Sequence, residues 1–155
     1  MTQEQMERYQ LRLTQAGIGE YAVILLEVEM QWIREALEAF DQKQPDLFVA
    51  LVKKAQMAQQ QLMDILNPEN AVAKDVYSVF IYINRQLIHS QFKKDPLDLQ
   101  RCVGMLEKYY KSFLELAKTD TQGAIMDTGE RVYAGLTYGS DGLVENSVGG
   151  MDFSV

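Results

Sequence analysis

Three observations predict an all-α fold, an antiparallel up-and-down four-helix bundle with a short N-terminal helix or cap and a Gly-rich C-terminal tail. Prolines occur only at positions 45, 68 and 96, and they divide residues 14–119 into four segments of similar length. Within those segments apolar residues recur at the spacing of one helix face. The connections are short, which favours antiparallel neighbours. At 155 residues the chain holds one core of ordinary size and not two domains.

Residues 3–13 carry Met6, Tyr9, Leu11 and Leu13 and are expected to form a short first helix. Four longer helices are placed at 19–40, 45–66, 71–92 and 96–118, each about 30 Å long at ~1.5 Å rise per residue. Pro45 and Pro96 suit the first helical turn, where a missing N–H is no loss, and Asp95 before Pro96 has the chemistry of an N-cap. Asn67-Pro68-Glu69-Asn70 reads as the turn between the second and third long helices. On the second, Phe48, Leu51, Ala55, Ala58, Leu62 and Ile65 share one stripe; on the fourth, Leu99, Val103, Leu106, Tyr110, Phe113 and Ala117 do the same.

Composition changes at residue 120. Only Gly17, Gly19 and Gly104 precede it, and the other seven of the ten glycines follow. The body carries 14 basic and 16 acidic residues, whereas the tail has Arg131 alone against six acids. A segment so acidic and so poor in apolar surface does not offset its own ordering entropy, so it is expected to be disordered or draped on the body. The organisation expected is therefore a cap segment at 1–13, a helical bundle at 14–119 and an acidic tail at 120–155.

The net charge of −7 and the lack of any basic run longer than Lys53-Lys54 or Lys93-Lys94 argue against nucleic acid. The first twenty residues lack an apolar stretch of signal-peptide length, and Tyr21 to Ile33 contains Glu27 and Glu29, so neither a leader nor membrane insertion is expected. A cytoplasmic location follows. His89 is the only histidine and Gln86 stands three residues before it, which excludes the paired Glu-x-x-His metal site of ferritin-like bundles. Cys102 is a single cysteine in a helical stripe and reads as a small buried apolar residue. Gly17-Ile18-Gly19 lacks the third glycine and the preceding strand of a phosphate loop. Glu27 and Glu29 point to different sides of a helix and do not form an acid/base pair. No catalytic, cofactor-binding or metal residue is assigned, and the chain reads as a binder rather than an enzyme.

Apolar surface exceeds what four helices bury. The first long helix has two apolar stripes, one through Tyr21, Leu25, Val28, Trp32 and Ala36 and one through Val23, Leu26, Met30, Ile33, Leu37 and Phe40. The third is apolar almost all round from Val76 to Ile83, and such a helix requires cover on every side. The cover is a terminal segment, a second copy or another protein. Either a terminal segment belongs permanently to the core, or it is exchangeable and hides a groove for a partner helix.

Three stretches resemble the FliS family of flagellin-specific export chaperones. Thr14-Gln15-Ala16-Gly17-Ile18-Gly19-Glu20, followed by the apolar run to Trp32-Ile33, is similar to the family's T-x-A-S-P-G-E start of its first long helix. Lys54-Ala55-Gln56 with Leu62 is similar to its K-A-Q. Phe80-x-Tyr82-x-x-Arg85-x-Leu87 matches positions of its Y-x-Y-x-Y-R-R-L run, with Asn84 and Gln86 in place of a Tyr and an Arg. The likeness covers residues 14–118 and leaves the tail without a counterpart.

The resemblance implies a monomeric bundle that binds the C-terminal segment of flagellin in the cytosol, prevents premature polymerisation and delivers it to the flagellar export apparatus. Ordering ~20 residues of such a segment costs on the order of 20–40 kcal/mol, and offsetting that takes roughly 1,000–1,500 Å² of apolar burial. The groove expected to supply it is lined by Tyr21, Leu25, Val28, Tyr77, Ile81, Tyr82 and Arg85. In the family an N-terminal segment with tyrosines lies over the binding surface, so Met6, Tyr9 and Leu13 are the expected cap, shielding Tyr77, Ile81 and Tyr82. The tail, through Leu136, Tyr138 and Phe153, is a second candidate cover. Competing readings are an adaptor for a different amphipathic helix and a structural homodimer through the third long helix.

Overall fold

The computed structural model describes residues 1–66 and 71–118, apart from the side chains of residues 18 and 71–73. The turn expected at 67–70 and the tail at 120–155 lie outside the described residues. Five helices and no strand make up what is described: α1 (Gln3–Gln15), α2 (Ile18–Asp41), α3 (Pro45–Ile65), α4 (Ala71–Lys93) and α5 (Leu99–Lys118).

Local chemistry explains most of the boundaries. Thr2 starts α1 with a reciprocal cap: the Gln5 N–H donates to Thr2 Oγ1 at 3.2 Å, and the Thr2 N–H donates to Gln5 Oε1 at 2.8 Å. Pro45 occupies the first turn of α3 as expected. Gly17 precedes α2 and supplies no side-chain cap. The start of α5 departs from expectation. Asp95 does not cap a helix beginning at Pro96; its Oδ2 accepts from the Leu97 N–H at 3.0 Å, closing a tight turn. Leu97 has a φ of 48°, outside the right-handed helical region. The helix therefore begins three residues later, with the Cys102 N–H donating to the Asp98 carbonyl at 3.0 Å.

α2 is the hub. It packs most extensively on α3 and then on α5, and it also carries α1; α3 packs in turn on α4, while α4 and α5 meet only sparsely. Specific contacts tie the helices. The Tyr21 hydroxyl donates to Gln61 Oε1 at 3.1 Å near one end of the α2/α3 pair, and the Phe40 and Phe48 rings meet edge to face at 5.5 Å near the other. Arg34 pairs with Glu107 at 2.7 Å between α2 and α5. Gln56 donates to Asn84 Oδ1 at 3.0 Å between α3 and α4, so the Asn that departs from the family pattern makes a polar contact of its own.

The core is filled by Trp32, Phe48, Phe80, Leu62, Ile83, Leu87 and Leu106 among others, all essentially inaccessible. The whole α3 stripe read from periodicity is buried. On α5 only Leu99, Val103 and Leu106 of the expected stripe are buried; Tyr110, Phe113 and Ala117 are half-buried, because α5 runs beyond full cover towards its C-terminus.

Candidate functional site

The two apolar helices singled out by sequence have different fates. With α1, α3 and α5 around it, α2 loses nearly all of its apolar surface to the core: Tyr21 is 8% exposed, and Leu25 and Val28 are 0% exposed. α4 has one strong neighbour, α3. Its Phe80, Ile83, Leu87 and Ser90 point inward and are buried, whereas Val76, Tyr77, Val79, Ile81 and Tyr82 remain half-buried and Arg85 is exposed.

This divides the groove expected from sequence. α2 makes its extensive contacts with α1, α3 and α5, and among the described residues it shares no interface of comparable extent with α4. Tyr21, Leu25 and Val28 therefore do not join Tyr77, Ile81, Tyr82 and Arg85 on one open surface. The accessible part is the α4 part.

Where α4 and α5 part, Ser78, Val79 and Tyr82 face Arg101 and Met105 across an open hollow of about 350 Å³. Behind α4's Val79, Phe80 meets Tyr109 of α5 edge to face at 5.5 Å between centroids, which stiffens the seam from within. The Tyr82 hydroxyl donates to Asp98 Oδ2 at 3.0 Å, and that bond leads the causes that raise the phenol above its ordinary value. The hollow thus offers aliphatic and thioether walls, one guanidinium and two hydroxyls whose directions are set, since Ser78 Oγ donates to the Lys74 carbonyl at 3.0 Å. Such a surface suits an apolar segment of another chain; it has no activated nucleophile. Val79, Arg101 and Met105 were not singled out from sequence, because their role depends on how far α4 and α5 separate.

The cap residues sit elsewhere. Leu13 is buried, and Met6, Tyr9 and Ala16 pack half-buried on the core. α1 lies along α2, and among the described residues it has no comparable interface with α4. Met6, Tyr9 and Leu13 are thus placed on α2, not over Tyr77, Ile81 and Tyr82. Polar contacts act there beside buried Leu13. Arg12 Nη1 donates to Glu27 Oε2 at 2.6 Å, Tyr110 of α5 donates to Glu27 Oε1 at 2.9 Å, and the Met1 amine meets Glu35 at 2.6 Å. Glu27 and Glu35 of α2 hold α1 in place. Glu27 raises the Arg12 guanidinium by accepting its hydrogen bond, while burial, then Glu27, raises the Tyr9 phenol. A second hollow of about 260 Å³ lies where α1, α2 and α5 converge, with Arg12, Glu20 and Lys118 in its wall.

Cys102 is buried at the α5 side of the core, and its thiol is pushed up to about 12, chiefly by desolvation and then by Glu29 and Asp98. His89 is exposed. Among the described residues no three His, Cys, Asp or Glu side chains gather as a metal site, and no helix is long and apolar enough to cross a membrane.

Comparison with curated proteins and with solved structures returned no match. Residues 1–120 match the family described as flagellar protein FliS, a span that takes in all five helices. With its helical hub and its partly uncovered apolar α4, the chain belongs to this family of flagellar export chaperones.

Proposed function

We propose that this chain binds the C-terminal segment of flagellin along α4, with the seam between α4 and α5 as the anchoring hollow, and so keeps flagellin from premature polymerisation and assists its type III export. The observation that carries the reading is the half-buried apolar surface of α4. Val76, Val79 and Tyr82 lie on the flank of α4 towards α5, and Tyr77 and Ile81 on its other flank, on a helix with one strong neighbour; an amphipathic segment laid along the α5-facing flank gains contact at successive turns. Membership of the family supplies the partner class. In this reading the protein is a cytoplasmic monomer before binding, its bundle domain spans 14–119, and α2 to α5 run antiparallel. The end-to-end pairing of Tyr21 with Gln61 and of Phe40 with Phe48 supports that direction for α2 and α3.

The N-terminal segment acts as a strap on α2, and the tail is left to carry further contacts. Titration of the purified protein with flagellin, full-length and lacking its C-terminal segment, tests the proposal. Binding only to the full-length form, weakened at least tenfold by Val79→Asp and unaffected by Lys53→Ala at an exposed position of α3, is the expected result. Equal binding of both flagellin forms removes the reading, and a stable dimer in light scattering that buries α4 would replace it with the homodimer.

A further inference from the structure

The outward side of α4 carries charge that none of this uses. Residues 74–94 hold Lys74, Arg85, Lys93 and Lys94 against Asp75 alone, a net +3 in a chain of net −7. Helical spacing places Lys74, Ile81, Arg85 and Phe92 on one face, and all but Ile81 are exposed. Phe92, at 85%, is the most exposed large apolar side chain among the described residues. Exposed Lys93 and Lys94 follow at the end of the helix.

None of the four cations forms an ion pair among the described residues. The acids nearest in the chain are turned elsewhere. Asp75 acts on the Tyr109 phenol of α5, Asp95 accepts from the Leu97 N–H, and Asp98 accepts from Tyr82. What remains is a cationic stripe with an exposed aromatic ring, beside the α5-facing flank and distinct from it.

Charge and tethering select the occupant. A second copy presents the same cations and is repelled. The chain itself continues past Lys118, the last residue of α5, for another 37 residues. Lys118 shares a hollow with Gly17 and Glu20, at the end of the bundle where Tyr21 meets Gln61 and α3 gives way to α4. The continuation therefore starts at the Lys74 end of the stripe. Within it Asp127 and Glu130 precede, and Asp141 and Glu145 follow, a stretch with Val132, Tyr133, Leu136 and Tyr138; with Arg131 the net charge of 127–145 is −3. About 28 Å of helix separate Lys74 from Lys93 at ~1.5 Å per residue, and the chain from Asp127 to Asp141 spans up to about 46 Å, so the two acidic groups reach both ends. Exposed ion pairs are weak singly, but a tether holds the segment at a millimolar effective concentration.

We propose that residues 127–145 dock along the outward stripe of α4, with their acidic groups at Lys74 and at Lys93 and Lys94, and their apolar side chains against Ile81 and Phe92. This stands apart from the flagellin reading, which uses the α5-facing flank, and it is tested without flagellin. Paramagnetic relaxation on the full chain is the measurement, with a nitroxide on Ser140→Cys; Cys102 is buried and stays unlabelled. At low salt the amides of Arg85, His89 and Phe92 should broaden at least fivefold more than those around Lys53 on α3. The difference should vanish in 1 M salt, where the screening length falls to about 3 Å, and in Arg85→Glu/Lys93→Glu. Asp141→Asn/Glu145→Gln should remove it as well, which decides the matter should the α4 variant not fold. Broadening spread evenly over α2, α3 and α4, or unchanged in either variant, overturns the proposal. So does the same broadening in an isotopically enriched, unlabelled chain mixed with a labelled one, which assigns the stripe to a second copy.

Discussion

Replacing Glu27 by glutamine tests whether α1 is a strap that can lift while the bundle stays closed. The side chain stands at the meeting of three helices and accepts from Arg12 at 2.6 Å and 3.5 Å and from Tyr110 at 2.9 Å. A net hydrogen bond to a charged group is worth about 1.5–3 kcal/mol, and partial exposure of the pair, 33% for Arg12 and 20% for Glu27, sets the Arg12 link at the lower end. The amide oxygen of glutamine still accepts from Tyr110. The expected loss is therefore about 1–2 kcal/mol of α1 docking, or roughly a 5- to 30-fold shift towards the undocked state.

On the apolar side, Leu13 is the one buried residue of α1, worth about 1.5–3 kcal/mol. The polar hub and Leu13 thus hold α1 by similar amounts, and a 13-residue helix is marginal by itself. Hydrogen exchange read residue by residue is the assay. Amides of α1 should exchange about 5- to 30-fold faster in Glu27→Gln, with those around Val103 and Leu106 unchanged. Unchanged exchange in α1 would refute the reasoning about the hub. Equal acceleration throughout would show that α1 unfolds only with the core, so that no separable strap exists.

Gly104 lies exposed within α5, and a Cβ added there meets nothing within 4 Å; Gly104→Ala should raise stability by about 0.5–1 kcal/mol, read from the denaturant midpoint at constant slope. Phe80→Ala removes a fully buried ring and its edge contact with Tyr109, and a loss of about 3–5 kcal/mol is expected; a loss under about 1 kcal/mol would mean that the floor of the seam is not packed as described. The Cys102 thiol, buried and pushed up to about 12, should resist a thiol reagent at pH 8 and react only as fast as the protein opens, so immediate labelling of the native protein would contradict its burial.

Much of the fold was legible because helix periodicity is a local property. The α3 stripe from Phe48 to Ile65 was read from spacing alone and is buried throughout. Thr2 with Gln5, three residues apart, is also a capping signal in the sequence. The α5 start was misplaced because Pro96 suits a helix and a turn equally, and only the hydrogen bond from Leu97 to Asp95 distinguishes them. Site residues fared differently. Tyr77, Ile81 and Tyr82 stay half-open on α4, while Leu25 and Val28 are sealed. Both helices have too much apolar surface by sequence, and nothing within either states how many neighbours it receives.

By itself the amino-acid order determined the five helices of the described residues, their extents to within a few residues, the inward face of α3 and the excess of apolar surface on α2 and α4. Each of these follows from interactions between residues close in the chain. Tertiary structure alone decided which excess remains uncovered, that α1 lies on the acidic strip of α2, and that Glu29 meets Gln59 in the core. Those outcomes depend on which helix packs beside which, and a helix with three neighbours buries what the same stripe beside one neighbour leaves half in water.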